Sequence, residues 1–264
     1  MSLLELRGIK KTYLLGNSVF GKRKAVEANK SISLTLEEGV CLGLVGESGS
    51  GKSTLGKIIL GLEKPDQGEV WFLGKSLYCL KAKELKELRR NLQVVFQDCY
   101  SAVNPRLTIG EIIAEPIRNY ERLSSVQVKK KVQELLEIVG LCQEDIHKYP
   151  YQFSGGQLQR INIARAIALK PKLIILDEAV SALDALVQVQ ILNLLAQLKE
   201  EFQLSYLFIS HDLQAVNYIA DRLAVMYKGE VVEWLDDLEQ LERLKHPVSK
   251  KLLSSVLPPY PGIL

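Results

Sequence analysis

One segment of the chain combines glycine, lysine and serine in a pattern suited to holding phosphate. Residues 46–53 read Gly-Glu-Ser-Gly-Ser-Gly-Lys-Ser and match G-x-x-x-x-G-K-[ST]. The glycines let consecutive backbone N–H groups curl around phosphate oxygens, while Lys52 adds a positive charge near the outer phosphates. Ser53 brings a hydroxyl that can ligate Mg²⁺. The predicted nucleotide contacts of this segment are Gly46, Ser48, Gly49, Ser50, Gly51, Lys52, Ser53 and Thr54.

Two adjacent acidic residues follow an apolar run later in the chain. Residues 173–176 are Leu-Ile-Ile-Leu, and Asp177 and Glu178 come directly after them. Ligands of open α/β sheets bind at the carboxyl ends of the strands, so both carboxylates are expected at the site. Asp177 is predicted to hold Mg²⁺. Because side chains alternate along a strand, Glu178 is predicted to point elsewhere and to orient and deprotonate an attacking water.

A second glycine-containing segment precedes a helical pattern. Residues 153–157 read Phe-Ser-Gly-Gly-Gln, and Ser154 is a candidate helix N-cap. Capping does not require the paired glycines Gly155 and Gly156, whereas close approach of the backbone to a phosphate does. The segment therefore predicts a second helix start that can bind an anion.

The elements that must position these residues alternate between strands and helices. Apolar strands are predicted at residues 42–45, 92–96, 173–176 and 206–209, and helices at 52–62, 155–169 and 184–201. Apolar runs that alternate with helices indicate a mostly parallel sheet covered by helices. The predicted fold is α/β, and the phosphate loop with these elements resembles P-loop NTPases of RecA-like type.

Two further parts complete the predicted architecture. Antiparallel strands are expected around residues 69–73, and a closing hairpin at 225–234 turns at Lys228-Gly229. Residues 97–153 form an inserted helical subdomain, with helices at 109–115, ended by Pro116, and at 126–139. The domain is expected to span residues 1–235, followed by a tail at 236–264.

Composition excludes several classes of protein. The chain has 264 residues, 47% hydrophobic and 25% charged, a balance typical of a folded protein and not of a disordered or fibrous one. Its net charge of +3 gives no support for a nucleic-acid partner. The four cysteines and three histidines are too scattered to indicate zinc or a disulfide framework. The cysteines are predicted to be reduced and at least partly buried.

The chain shows no signal for export or for spanning a membrane. Its first residues mix acidic and basic side chains, so a cytoplasmic location is expected. No stretch approaches the roughly 18 apolar residues that cross a bilayer. Any membrane role is therefore expected to come through a partner.

The motifs together resemble those of ATP-binding cassette (ABC) ATPases. In that family's order, the chain carries the phosphate loop, Gln97, the signature at residues 154–157, the paired acids, Ser-Ala-Leu-Asp at 181–184 and His211. The resemblance implies that two subunits pack head to tail. The residues Ser154, Gly155, Gly156 and Gln157 of one subunit would then contact the γ-phosphate of ATP held by the other.

The resemblance also implies roles for isolated residues. Gln97 resembles the Q-loop residue, which senses nucleotide, couples it to a membrane partner and joins Ser53 and Asp177 around Mg²⁺. His211 resembles the switch histidine that steadies the γ-phosphate and the water. Asp184 resembles the D-loop acid at the dimer seam. Tyr13, placed after the first strand, resembles the aromatic residue that stacks on adenine.

Residues 97–106 are similar to the extended segment of the peptide and nickel importer group. The Glu-Ala-Val-Ser of 178–181, the compact length and the tail at 256–261 resemble the nickel-import ATP-binding subunit (NikE type). A nickel or related metal importer is therefore expected, with a peptide importer, to which His246-Pro247-Val248 points, as the alternative. The implied partners are two membrane permeases and an extracellular binding protein, and the implied location is peripheral, on the cytoplasmic face of the membrane.

Other nucleotide-binding classes fit less well. A GTPase is disfavoured because Asn29-Lys30 is not followed by the Asp of N-K-x-D. A non-transport cassette ATPase would be expected to carry two cassettes or a long coiled-coil insertion. The identity of the second ATPase subunit, the same chain or a paralogue, and the cargo remain open at this point.

Overall fold

The computed structural model describes residues 2–15 and 24–254, which divide into two units. The first unit comprises Met1–Ala82 and Leu207–Leu264, and the second comprises Lys83–Tyr206. The tail motif at residues 256–261, on which part of the nickel expectation rests, lies outside the described residues.

The strands and helices alternate along most of the chain. The strands are β1 (Ser2–Leu15), β2 (Lys24–Glu37), β3 (Cys41–Val45), β4 (Gln67–Phe72), β5 (Lys75–Ser76), β6 (Leu92–Phe96), β7 (Leu173–Asp177), β8 (Ser205–Ser210), β9 (Arg222–Tyr227) and β10 (Glu230–Leu235). The helices are α1 (Lys52–Ile59), α2 (Ala82–Arg90), α3 (Ile109–Tyr120), α4 (Ser125–Ile138), α5 (Gly155–Ile167), α6 (Ala185–Phe202), α7 (Leu213–Ile219) and α8 (Pro247–Ser254).

An antiparallel sheet in the order β2-β1-β4-β5 forms one part of the first unit. Apolar and polar residues alternate along β2, where Ile32, Leu34 and Leu36 are buried and the residues between them are exposed. This period of two places one face of the sheet in the core. Tyr13 lies within β1, and not after the first strand as predicted, because β1 stays paired with β2 as far as Leu15.

The strand that precedes the phosphate-binding segment lies in the interior of the first unit. β3 is buried along its whole length and runs parallel to β9, which pairs antiparallel with β10. On its other side β3 neighbours β8. The predicted strand, glycine loop and helix are present as β3, residues 46–51 and α1, and the predicted closing hairpin is present as β9 and β10.

The second unit places helices around the parallel pair β6 and β7. Both α3 and α4 begin with a capping box, in which Thr108 or Ser124 accepts from the third helical N–H. The structure carries α3 through Pro116 to Tyr120, although the sequence predicts that this proline ends the helix. Ile109, Ile113 and Ile117 have no exposed surface. Burying each isoleucine side chain stabilises the fold by about 1.5–3 kcal/mol. The three contributions together exceed the cost of roughly 3 kcal/mol for a proline inside a helix.

The four cysteines are predicted to be at least partly buried, and the structure places only two of them in the interior. Cys41 and Cys99 lie in the interior, whereas Cys79 and Cys142 are exposed. Across residues 2–15 and 24–254, no helix combines the length and apolar character that crossing a membrane requires.

Candidate functional site

The loop between β3 and α1 has the geometry of an anion-binding helix start. Gly51 occupies the N-cap position with φ +104°, and no side chain caps the helix. Because glycine carries no side chain, a ligand anion can approach the first N–H groups of α1 closely. Lys52 is only 5% exposed, and its Nζ donates to the carbonyl oxygens of Gly46 at 2.7 Å and Glu47 at 3.1 Å. These bonds hold the positive charge within the loop.

Neighbouring strands hold this loop in place. The Asn29 side chain donates to the carbonyl oxygen of Gly51 at 3.2 Å, and the Gly229 N–H donates to that of Ser50 at 3.0 Å. A Cβ added at Gly51 would overlap the carbonyl oxygen of Ala28. These contacts of Asn29 and Gly229 could not be predicted from sequence, because neither residue lies in the loop motif and both reach the loop only through the fold.

The close approach at Gly51 predicts a specific effect of substitution. Gly51→Ala would combine a left-handed backbone with a clash, so we expect it to destabilise the protein by at least about 1–3 kcal/mol and to weaken ATP binding. Thermal unfolding and titration with a fluorescent ATP analogue measure both effects. Gly49→Ala is the matched control for thermal unfolding, because it has φ +80° but its Cβ would meet no described atom within 4 Å. Equal losses of thermal stability in the two variants would contradict the role of the Ala28 contact.

Tyr13 and Thr54 lie together on the same unit. The Tyr13 hydroxyl donates to the Glu63 carboxylate at 2.7 Å and meets the Thr54 side chain, while the Lys11 Nζ lies 5.7 Å from the ring centre. Partial burial is the main cause that raises the pKa of the Tyr13 phenol, and the hydrogen bond with Glu63 raises it further. The ring is therefore fixed beside the first turns of α1, and its stacking on adenine stays a prediction.

Two other parts of the first unit bear on the site. His211 directly follows β8 and is exposed to solvent, and its contact with phosphate stays a prediction. Near the loop, the Lys251 Nζ of α8 pairs with the Glu47 carboxylate at 2.6 Å and lowers its pKa. No local pattern in the sequence indicates this contact, which joins residues 204 positions apart.

In the second unit, the paired acids stand at the end of β7. Phe96, the last residue of β6, lies opposite Asp177 in the parallel pair, which brings Gln97 beside the acids along the strand ends. Glu178 lies beyond β7 with φ +53°. Its direction is therefore set by a left-handed turn and not by the alternation of side chains along a strand, which was the sequence argument.

The predicted signature segment forms the start of α5. Ser154 accepts the Gln157 N–H at 3.3 Å and Gln157 accepts the Ser154 N–H at 3.0 Å, so the predicted N-cap is present as a full capping box. The two glycines differ in surroundings. A Cβ at Gly155 would meet only Leu183, at an ordinary 3.9 Å, whereas one at Gly156 would overlap Val187. Gly156 thus allows close packing of α5 on α6, and only Gly155 has the open approach expected for an anion.

Asp184 lies at the start of α6, close to this segment. Its carboxylate accepts the Val187 N–H at 3.0 Å and so caps the helix. Val187 is also the residue that Gly156 approaches, so the first turns of α5 and α6 are in contact. The structure explains Asp184 as a cap, and its role at a dimer seam stays a prediction.

The residues predicted to hold Mg²⁺ supply ligand types that suit this ion. Ser53, Gln97 and Asp177 carry hydroxyl, amide and carboxylate oxygens, the hard donors that Mg²⁺ prefers. Ser53 belongs to the first unit, and Gln97 and Asp177 belong to the second. Among the described residues, no group of three or more His, Cys, Asp and Glu side chains is placed to hold a metal by itself.

Comparison with known proteins identifies relatives along almost the whole chain. Residues 29–181 match the family model described as "ABC transporter". The oligopeptide transport ATP-binding protein OppF of Haemophilus influenzae is 47% identical over 265 residues, covering 99% of this chain and 80% of that protein. The oligopeptide transport ATP-binding protein AppF of Bacillus subtilis is 45% identical, covering 97% of this chain and 78% of that protein.

A solved structure has the same fold. A dimeric ATP-binding cassette in a post-hydrolysis state, bound to ADP and Pi, superimposes with a TM-score of 0.77 at 32% sequence identity. The match covers 89% of this chain and 98% of the other. The predicted P-loop NTPase fold, with its added antiparallel sheet and helical insertion, is therefore confirmed as a cassette fold.

Proposed function

This chain belongs to the ABC transporter family and is an ATPase of that family, and from this premise we propose that it is the ATP-hydrolysing subunit of a peptide importer. The observation that carries the proposal is the glycine at the N-cap of α1 together with the buried Lys52, whose ammonium group is bonded to the phosphate loop. The loop supplies consecutive N–H groups and a fixed ammonium group, which is the chemistry that a triphosphate requires.

The proposed cargo class is peptides and replaces the expectation of nickel. Both relatives described above carry oligopeptide transport in their names and cover nearly the full length of this chain. The nickel expectation rested on residues 178–181, on chain length and on a tail outside the described residues. The comparisons favour the alternative that His246-Pro247 indicated.

The proposed assembly is a pair of cassettes attached to membrane permeases. The family likeness and the dimeric cassette described above support a head-to-tail pair, formed with a second copy or with a paralogue. An extracellular binding protein would deliver the peptide. The chain would then lie at the cytoplasmic face of the membrane as a peripheral subunit.

The proposed reaction is attack of water on the γ-phosphorus of ATP. Glu178 accepts a proton as the water oxygen bonds to phosphorus, and the bond from phosphorus to the bridging oxygen breaks, so that its electron pair leaves with ADP. Lys52 and the loop N–H groups offset negative charge on the phosphates, and His211 holds the γ-phosphate and water. Mg²⁺, held by Ser53, Gln97 and Asp177, supplies further charge neutralisation when bound.

Loss of the γ-phosphate is proposed to open the dimer. ATP stabilises the closed pair through contacts of Ser154, Gly155 and Gln157 with the γ-phosphate, while Gly156 lets α5 pack closely on α6. Once phosphate leaves, these contacts are lost and the open state is favoured. Alternate closing and opening would drive the permeases.

Uptake by cells tests the cargo. In a strain lacking this chain, uptake of labelled oligopeptides is expected to fall to background, while uptake of labelled nickel is unchanged. Wild-type chain should restore peptide uptake, and the Glu178→Gln variant should not. Loss of nickel uptake with normal peptide uptake would contradict the proposal that the cargo is peptides. Restoration of peptide uptake by Glu178→Gln would contradict the role of ATP hydrolysis.

A further inference from the structure

The turn that carries Glu178 has an unfavourable backbone conformation. Glu178 has φ +53°, a left-handed conformation that costs a residue with a side chain about 1–2 kcal/mol. Such a conformation persists only where surrounding groups hold it. The direction of the Glu178 carboxylate therefore depends on whatever holds the two peptide groups that follow it.

The first of these peptide groups is held by Ser181. The Ser181 N–H donates to the carbonyl oxygen of Glu178 at 3.2 Å, and the Ser181 hydroxyl donates to the same oxygen at 2.9 Å. Two donors from one residue thus fix the carbonyl group of Glu178 itself.

The second peptide group is held by Gln159, a side chain of α5 that is 1% exposed. Its Nε2 donates to the carbonyl oxygen of Ala179 at 2.6 Å and makes a longer contact, 3.4 Å, with that of Phe96. The Phe96 carbonyl belongs to the peptide bond that precedes Gln97. One amide group therefore joins the residue after Glu178 to the residue before Gln97.

Only the Nε2 end of the buried Gln159 amide is satisfied. The Oε1 of Gln159 is buried and has no hydrogen-bond partner among the described residues. A buried acceptor without a partner costs about 1–3 kcal/mol, which an apolar side chain of the same size would avoid. What the amide adds is a donor aimed at the turn.

We propose that Gln159 and Ser181 are positioning residues that hold the Glu178 turn, and that Gln159 ties this turn to the strand end before Gln97. The proposal rests on the proposed function, in which Glu178 accepts the proton of the attacking water. Neither residue contacts substrate in this proposal. Both act through the two peptide groups that follow the Cα atom of Glu178.

The test compares steady-state hydrolysis in the assembled transporter. Gln159→Met keeps the size of the side chain and removes the donor, and Ser181→Ala removes one of the two donors at a partly exposed site where folding is not at risk. Both variants are expected to lower kcat, Gln159→Met by roughly tenfold to a hundredfold and Ser181→Ala by less. The KM for ATP and the affinity for an ATP analogue should stay within about twofold.

Asn162→Leu is the matched control. Asn162 is another buried amide of α5, 1% exposed, but it donates to the carbonyl oxygen of Cys99 and not to the turn. It should alter the melting temperature without lowering kcat by more than about twofold. An equal loss of kcat in Asn162→Leu and Gln159→Met would overturn the proposal, because any disturbance of α5 would then be enough to lower kcat.

A double-mutant cycle separates positioning from a general structural role. Added to Glu178→Gln, Gln159→Met should cause no further loss of the residual single-turnover rate, because the group that it positions is already removed. Losses that multiply would overturn the proposal. If Glu178→Gln is slow while Gln159→Met and Ser181→Ala both have normal kcat, the positioning role is rejected and the proposed base is kept. Normal hydrolysis by Glu178→Gln rejects the proposed base and, with it, this inference.

Discussion

Glu178→Gln is expected to bind ATP with nearly unchanged affinity and to hydrolyse it about a hundred to a thousand times more slowly than the wild type. Glutamine keeps the size of the side chain and the left-handed turn at residue 178 but cannot accept a proton from water. The affinity should persist because the groups predicted to bind the phosphates lie in the loop before α1 and at the start of α5. Phosphate release by the reconstituted transporter and equilibrium binding of an ATP analogue measure the two effects.

A surface variant provides the comparison for this result. Glu201→Gln removes an exposed carboxylate of α6 and should leave both the rate and the affinity unchanged. If Glu178→Gln hydrolysed ATP as fast as Glu201→Gln, the carboxylate of Glu178 would not be the base. The accumulation of a long-lived ATP-bound dimer in Glu178→Gln, seen by size-exclusion chromatography, would further support the proposed closed state.

Lys52→Ala is expected to lose both binding and hydrolysis. The substitution removes a full positive charge from the loop and also the donor that bonds the carbonyl oxygens of Gly46 and Glu47. Loss of one such charged contact typically costs about 2.7–4 kcal/mol, which corresponds to roughly a hundredfold to a thousandfold. Titration with an ATP analogue should show the loss of affinity, and the rate at saturating ATP should fall as well.

Lys57→Ala is the matched control for this variant. Lys57 lies on the same helix, α1, but is exposed on its surface. Its removal changes the net charge of the chain by the same amount without touching the loop. Equal losses of affinity in Lys52→Ala and Lys57→Ala would show that overall charge, and not the placement of Lys52, governs binding. Circular dichroism of both variants checks that the fold is kept.

The nucleotide chemistry of this chain could be predicted from sequence because it depends on short local patterns. The phosphate loop needs only the glycine spacing, Lys52 and the helix that follows, and all of these lie within residues 46–59. The capping box at Ser154 is equally local. Pro116 shows the limit of such reasoning, since the buried isoleucines of α3 outweigh a residue that would end an isolated helix.

Other features could not be predicted because they join parts of the chain that only folding brings together. Asn29 reaches the carbonyl group of Gly51 from β2, and Gly229 reaches that of Ser50 from the turn between β9 and β10. From sequence, both glycines of the signature segment are predicted to let the backbone approach a phosphate. In the structure, Gly156 instead gives room for Val187 of α6, and only Gly155 faces open space.

Local sequence patterns are enough to identify the chemical groups and the elements that carry them: a phosphate loop, two carboxylates at a strand end and a capped helix start. The direction of the Glu178 side chain, in contrast, depends on contacts that form only in the folded chain. Strand periodicity fails at that residue because β7 ends one position earlier, and the turn that replaces it is held by Ser181 and by Gln159 from another helix. Hydrogen bonds that form at a distance of 20 residues along the chain leave no periodic trace in a sequence.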